Sequence, residues 1–230
     1  GTALDGEAYL RGTSVYFPDR AIPMFPPELS NEICCLHPDS DRLTVTVERR
    51  YDARGNEKAV RFYPSVIRSG ERLTYTIVKK ILLDDDVALK KRYGHIVPSL
   101  EGMADLSQTL RQKRIDRGAL DFDLPEPEII LDLQGETEGI IRAERNLAHQ
   151  IIEEFMIAAN EAVAHFLEEN GSPSIYRIHE PPKEESVDEF RRFISHLGHK
   201  MRKDAENSSK ELQRVLFEVK GRPEERVVNN

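Results

Sequence analysis

Apolar and polar residues alternate along two stretches, Arg42-Leu43-Thr44-Val45-Thr46-Val47-Glu48 and Ala59-Val60-Arg61-Phe62-Tyr63. Alternation with period two sends successive side chains to opposite faces of a strand. Asp52-Ala53-Arg54-Gly55-Asn56 supplies turn residues between the two runs, so the pair predicts a β-hairpin. Upstream, Ala3 to Arg11 reads as a short helix ended by Gly12, and Thr13 to Phe17 as a brief β-prone run stopped by Pro18. The passage Ile22-Pro23-Met24-Phe25-Pro26-Pro27 is incompatible with regular helix or central strand. It predicts an ordered loop, with one helical turn over Pro27 to Asn31.

Helical spacing then takes over. Leu73 to Leu83 and Leu100 to Arg117 carry apolar residues at helical intervals, the second stopped by Gly118. Glu128 to Leu133 and Gly139 to Arg142 predict a second strand pair, and Ser174 to Ile178 a further strand. Ser186 to His199 and Ser209 to Val219 read as helices, whereas Arg226 to Asn230 shows no closing element. Strands and helices are interspersed without a repeat, which predicts one α+β domain, a mixed sheet with packed helices.

The longest element is expected from Arg145 to Asn170, ended by Gly171. Leu147, Ile151, Phe155, Ala158, Ala162 and Phe166 share one face, and Ile152, Met156, Ala159 and Val163 widen it until most of the circumference is apolar. This predicts a helix buried inside the domain. His149, Glu153 and Asn160 interrupt it as one narrow polar stripe, within roughly 40° of one another. Glu154, Glu161, His165 and Glu168 form a second. Periodicity does not choose between two readings: both stripes partly exposed, or Glu153 turned into a ligand site, since a carboxylate deep in a buried helix requires a partner.

Composition narrows the functional classes. The 230 residues include 33 Lys and Arg against 41 Asp and Glu, a formal charge of −8. That acidity argues against binding duplex DNA by bulk charge, but leaves room for a narrow groove lined by arginines and aromatics. No apolar run reaches the ~20 residues of a membrane-spanning helix, and Gly1 to Glu7 has no basic stretch followed by an apolar one, so neither a membrane anchor nor a secretory signal is expected. The only cysteines are the adjacent Cys34 and Cys35, which cannot build a disulfide framework and suggest a reducing, cytoplasmic setting.

Several blocks then occur in a characteristic order: Arg11-Gly12-Thr13-Ser14-Val15-Tyr16-Phe17-Pro18-Asp19-Arg20, Ile22-Pro23-Met24, Leu29-Ser30-Asn31, Arg117-Gly118-Ala119-Leu120-Asp121-Phe122-Asp123, Glu153-Glu154-Phe155-Met156-Ile157-Ala158-Ala159-Asn160, and Ile175-Tyr176-Arg177-Ile178-His179-Glu180. Together they resemble the RNB catalytic domain of the ribonuclease II and ribonuclease R family, closer to the ribonuclease R branch. The resemblance implies a processive 3′-to-5′ exoribonuclease that hydrolyses single-stranded RNA to nucleoside 5′-monophosphates using Mg2+. It further implies that Tyr16 and Phe122 form the two jaws of a base-stacking clamp, that Tyr75 packs near the terminal nucleotide and sets the final product size, and that Glu153 contacts the terminal ribose. The physics suits those roles. Aromatic faces grip any base without reading sequence, and a carboxylate accepting from a 2′-hydroxyl separates RNA from DNA. Read singly, each of these positions also fits an ordinary core or rim residue.

The family's D-x5-D-x-D-D aspartate cluster, which holds the metal, is not in this sequence, nor is its Ser-Pro-Ile-Arg-Arg-Tyr-Pro-Asp block. Asp116, Asp121 and Asp123 miss the aspartate spacing, and Asp84-Asp85-Asp86 reads as a solvated helix end. The resemblance therefore implies the central part of an RNB domain over residues 1–230, with no catalytic residue and no metal ligand, and no nuclease activity of its own. A non-catalytic RNB-like RNA-binding module is the alternative. Arg111, Lys113, Arg114 and Arg117 either guide phosphates or form a solvated helix face. Apolar surfaces left by a truncated fold predict self-association.

Overall fold

The fold comes from a computed structural model that describes residues 1–120, 127–132, 134–178, 180–202 and 208–229. In chain order the elements are α1 (Ala3–Arg11), β1 (Val15–Tyr16), β2 (Ala21–Ile22), a π-helical turn (Glu28–Ile33), β3 (Asp41–Tyr51), β4 (Glu57–Arg68), α2 (Tyr75–Leu82), α3 (Val87–Arg92) and α4 (Val97–Asp116). They continue with β5 (Pro127–Leu131), β6 (Thr137–Arg142), α5 (Leu147–Glu169), α6 (Glu184–His196), α7 (Ser208–Val219) and α8 (Glu225–Val228). The α+β class stands. The described strands pair as three separate two-stranded antiparallel sheets, β1 with β2, β3 with β4 and β5 with β6.

The chain divides into two compact units, Gly1–Asp52 with Glu57–Glu101 and Pro125–Gln150, and Ala53–Asn56 with Gly102–Leu124 and Ile151–Asn230. In the first, β3 and β4 form the expected hairpin, with Leu43 opposite Val66, Val45 opposite Pro64 and Val47 opposite Phe62 on one face. That face is open toward the Leu43 end, Leu43 being 89% and Val45 81% exposed, while Val47 and Phe62 are half-buried. The polar face is the knitted one: Ser65 Oγ lies 2.8 Å from Thr44 Oγ1 and 2.5 Å from Thr46 Oγ1, and Tyr63 Oη donates to Glu48 Oε2 at 3.1 Å. Tyr93 and Ile81 are buried in this unit.

The second unit has its own core, Ile194, Met201, Val215, Val219 and Val228, flanked by Val187, Phe190, Leu212 and Leu216. The amphipathic patterns of α6 and α7 build it, because their apolar residues recur every three or four positions. Two expectations fail here. The stretch from Arg226, read as having no closing element, contributes to the short helix α8 (Glu225–Val228), and Val228 is buried in that core. The driving force is burial of one more aliphatic side chain, which the flanking polar residues Glu224, Glu225, Arg226 and Asn229 hid from a periodicity reading. Ser174 to Ile178 forms no strand, and Ile175 and Ile178 stand exposed; β-prone residues become a strand only where another edge supplies backbone partners.

Helix α5 is buried on one side rather than all round. Ala148, Ile151, Glu154 and Ala162 are buried, while Ile152, Met156, Val163 and Phe166 are exposed. Among the described residues no helix is long and apolar enough to cross a membrane.

Candidate RNA-binding site

Tyr16 is presented by local backbone constraints. Pro18 and Asp19 turn the chain so that the Phe17 amide donates to the Arg20 carbonyl at 2.8 Å, and Tyr16 pairs opposite Ala21, whose methyl leaves the neighbouring position uncrowded. Arg20 lies over the Phe17 ring at 5.5 Å, a cation–π contact. The Met24 amide donates to Ser14 Oγ at 3.0 Å, and Arg11 Nη1 donates to the Pro23 carbonyl at 3.1 Å, tying the proline-rich loop to α1 and the hairpin. Tyr16 is left 80% exposed. A large aromatic held outward on a fixed backbone is suited to stacking on a flat ligand.

Tyr75 is the first residue of α2, directly after Thr74, whose hydroxyl caps the helix by accepting from the Ile77 amide at 3.3 Å. Its ring stacks on His149, with centroids 3.9 Å apart and planes inclined by 26°. One turn along α2, Lys79 Nζ meets Glu144 Oε1 at 2.7 Å. That hydrogen bond holds the Glu144 carboxyl below its ordinary range and lifts the Lys79 ammonium above its own. Asn146 starts α5 by accepting from the Ala148 amide at 3.0 Å, and its own amide donates to His149 Nδ1 at 3.3 Å.

In the second unit, the polar stripes of α5 separate. Glu154 is only 3% exposed and takes a forked contact from Arg114, whose Nη2 donates to Oε1 at 2.6 Å and Nε to Oε2 at 3.3 Å. Arg117 Nη2 donates to Glu161 at 3.1 Å, and Lys113 Nζ to Asn56 Oδ1 at 2.5 Å. The basic run of α4 is thus largely engaged in holding its own unit together. Glu153 is half-buried. The end of α4 and the turn after it are held by a residue the sequence reading did not single out: Gln213 Nε2 donates to both the Ile115 and Ala119 carbonyls at 2.8 Å. Gly118, between them, has φ of +100°, a conformation that favours glycine.

Of the four expected contacts, Tyr16 and Tyr75 lie in the first unit and Glu153 in the second; Phe122 lies outside the described residues. An open depression of about 490 Å³, lined by Ile33, Cys34, Leu36 and Leu43 among others, includes none of them. Magnesium, which the resemblance implies for the parent enzyme, finds no fit: among the described residues no three His, Cys, Asp or Glu side chains are grouped to hold an ion. Asp85 is paired with Lys90, and Asp86 caps α3 through the Leu89 amide.

This α+β chain belongs to the RNB domain family, whose pattern matches residues 1–230. Its relatives include Ribonuclease R of Aquifex aeolicus, 46% identical over 99% of this chain and 32% of that protein. Ribonuclease R of Vibrio cholerae is 39% identical over 99% of this chain and 28% of its own length. Among solved structures, Mycoplasma genitalium RNase R in complex with ribose-methylated single-stranded RNA matches with a TM-score of 0.90 at 28% identity, covering 100% of this chain and 36% of that one. The chain therefore spans about a third of the length of the curated relatives it matches.

Proposed function

We propose that residues 1–230 are the RNA-gripping part of a cytoplasmic, processive 3′-to-5′ exoribonuclease that hydrolyses single-stranded RNA to nucleoside 5′-monophosphates with Mg2+. Tyr16 and Phe122 stack on bases near the 3′ end, Tyr75 packs at the terminal nucleotide, and Glu153 accepts a hydrogen bond from the terminal ribose. The carrying observation is the whole-chain match, at a TM-score of 0.90, to an RNase R solved with single-stranded RNA. The outward tyrosine of the β1–β2 hairpin supports it, because stacking contributes about 1–3 kcal/mol per base whatever the sequence. The metal-binding aspartates and the arginine that assists at the scissile phosphate come from other segments of a longer polypeptide, and the 230 residues alone do not cleave RNA.

Two measurements test this reading. The codons flanking Gly1 and Asn230 should specify the D-x5-D-x-D-D cluster upstream and the arginine block downstream; a start codon beside Gly1 would instead favour the non-catalytic module. Incubated with single-stranded RNA and Mg2+, the 230-residue chain should release no nucleotides. Stepwise release of nucleoside monophosphates that survives exhaustive purification would overturn the assignment of the metal site to other segments.

A further inference from the structure

We infer that His149 is the positioning residue for Tyr75: the imidazole backs one face of the tyrosine ring so that the other is presented to the terminal nucleotide. The inference rests on the role proposed for Tyr75 and assigns a function to a side chain outside the clamp and ribose set. Tyr75 is 46% exposed. A ring that open, on the first residue of a helix, would otherwise sample several rotamers, and a ligand stacking on it would have to freeze that freedom. The parallel approach of the two rings, 3.9 Å apart and inclined by 26°, removes it in advance.

His149 is itself held. Its Nδ1 receives the Asn146 amide at 3.3 Å and lies 3.1 Å from Asn146 Oδ1, while Asn146 also caps α5. The attachment has a second point, Lys79 to Glu144 at 2.7 Å. Tyr75 and Lys79 lie one turn apart on α2, so a ring contact and an ion pair together prevent that helix from rolling about its axis. The groups facing His149 in this cluster are the Tyr75 ring, the Asn146 amide and, further off, the Glu144 carboxylate. A mere packing role for His149 would stabilise the fold without touching the ligand; a positioning role acts through Tyr75 and through the ring shape alone.

The 230-residue chain is tested as Tyr75→Ala, His149→Ala, His149→Phe and the Tyr75→Ala/His149→Ala double variant, by fluorescence anisotropy with a labelled single-stranded oligoribonucleotide. Either alanine variant should weaken binding by roughly 2- to 10-fold, the scale of one aromatic pair. The double variant should be no weaker than Tyr75→Ala, and His149→Phe should stay within about twofold of the parent chain. In NMR spectra without RNA, the ring-current shift of the Tyr75 ring protons should persist in His149→Phe and vanish in His149→Ala. If His149→Ala loses helical circular dichroism, His149→Gln replaces it. Full binding by the histidine variant alongside weakened binding by Tyr75→Ala overturns the inference and leaves the Tyr75 role standing, as does additivity in the double variant. Full binding by Tyr75→Ala overturns the role of Tyr75 itself, and an unshifted Tyr75 ring overturns the positioning whatever the RNA result.

Discussion

Replacing Arg114 by alanine should destabilise the second unit more than any other single charge removal on α4. Its partner Glu154 is 3% exposed and Arg114 itself 18%, with the contact forked at 2.6 and 3.3 Å. Without the guanidinium, a carboxylate remains in a site that water barely reaches. Breaking one half of a buried pair costs about 3–5 kcal/mol, chiefly as the penalty of the stranded charge. Removing both charges by Arg114→Met with Glu154→Leu should cost much less and can approach neutrality, because two apolar groups of similar volume need no partners. Urea unfolding followed by circular dichroism at 222 nm reads both. Arg117→Ala, whose ion pair with Glu161 is exposed, serves as the control and should cost under about 1 kcal/mol. An Arg114→Ala loss no larger than that of the control would refute the reasoning.

Ile194→Ala empties a fully buried position in the second core and should cost about 2–5 kcal/mol, measured as a lower urea midpoint at unchanged slope. Acid should weaken the fold with a defined sign. Hydrogen bonds from Arg214 and then from the Arg202 amide hold the Glu211 carboxyl below its ordinary value of 4.5, so its stabilising contribution is complete above that value and is lost as pH falls through the folded one. Thermal unfolding between pH 7 and 3 should show this loss, and Glu211→Gln should be less stable at pH 7 but flatter below pH 4.5. The open apolar face of the β3–β4 hairpin should drive concentration-dependent association by light scattering, reduced by Val45→Lys; a monomer at high concentration in the parent chain would count against it.

The sequence showed most elements because helices and hairpins announce themselves locally. The period-two runs around Val45 and Phe62 gave the long hairpin, and helical spacing located α2, α4, α5, α6 and α7 to within a few residues. What it could not show was orientation. Alternation says that Leu43 and Val45 share a face, but not that the face is open. The two polar stripes of α5 were visible, yet nothing local distinguishes Glu154, buried with Arg114, from Glu153, because the arginine that pairs with Glu154 sits 40 residues away. His149 was seen as part of a stripe; its stacking on Tyr75 joins residues whose separation in sequence carries no periodic signal. Ser174 to Ile178 failed for the related reason that strands need a neighbour.

The central claim, that Tyr16, Phe122, Tyr75 and Glu153 hold the 3′ end of a single RNA strand, is tested most directly by comparing RNA and DNA oligonucleotides of one sequence for binding to the 230-residue chain and its Glu153→Gln variant. A hydrogen bond from a 2′-hydroxyl to a carboxylate should favour RNA about tenfold, and the glutamine variant should shrink that preference while Tyr16→Ala weakens both strands alike. Equal binding of RNA and DNA by the parent chain, or a preference that Glu153→Gln leaves intact, would contradict the account.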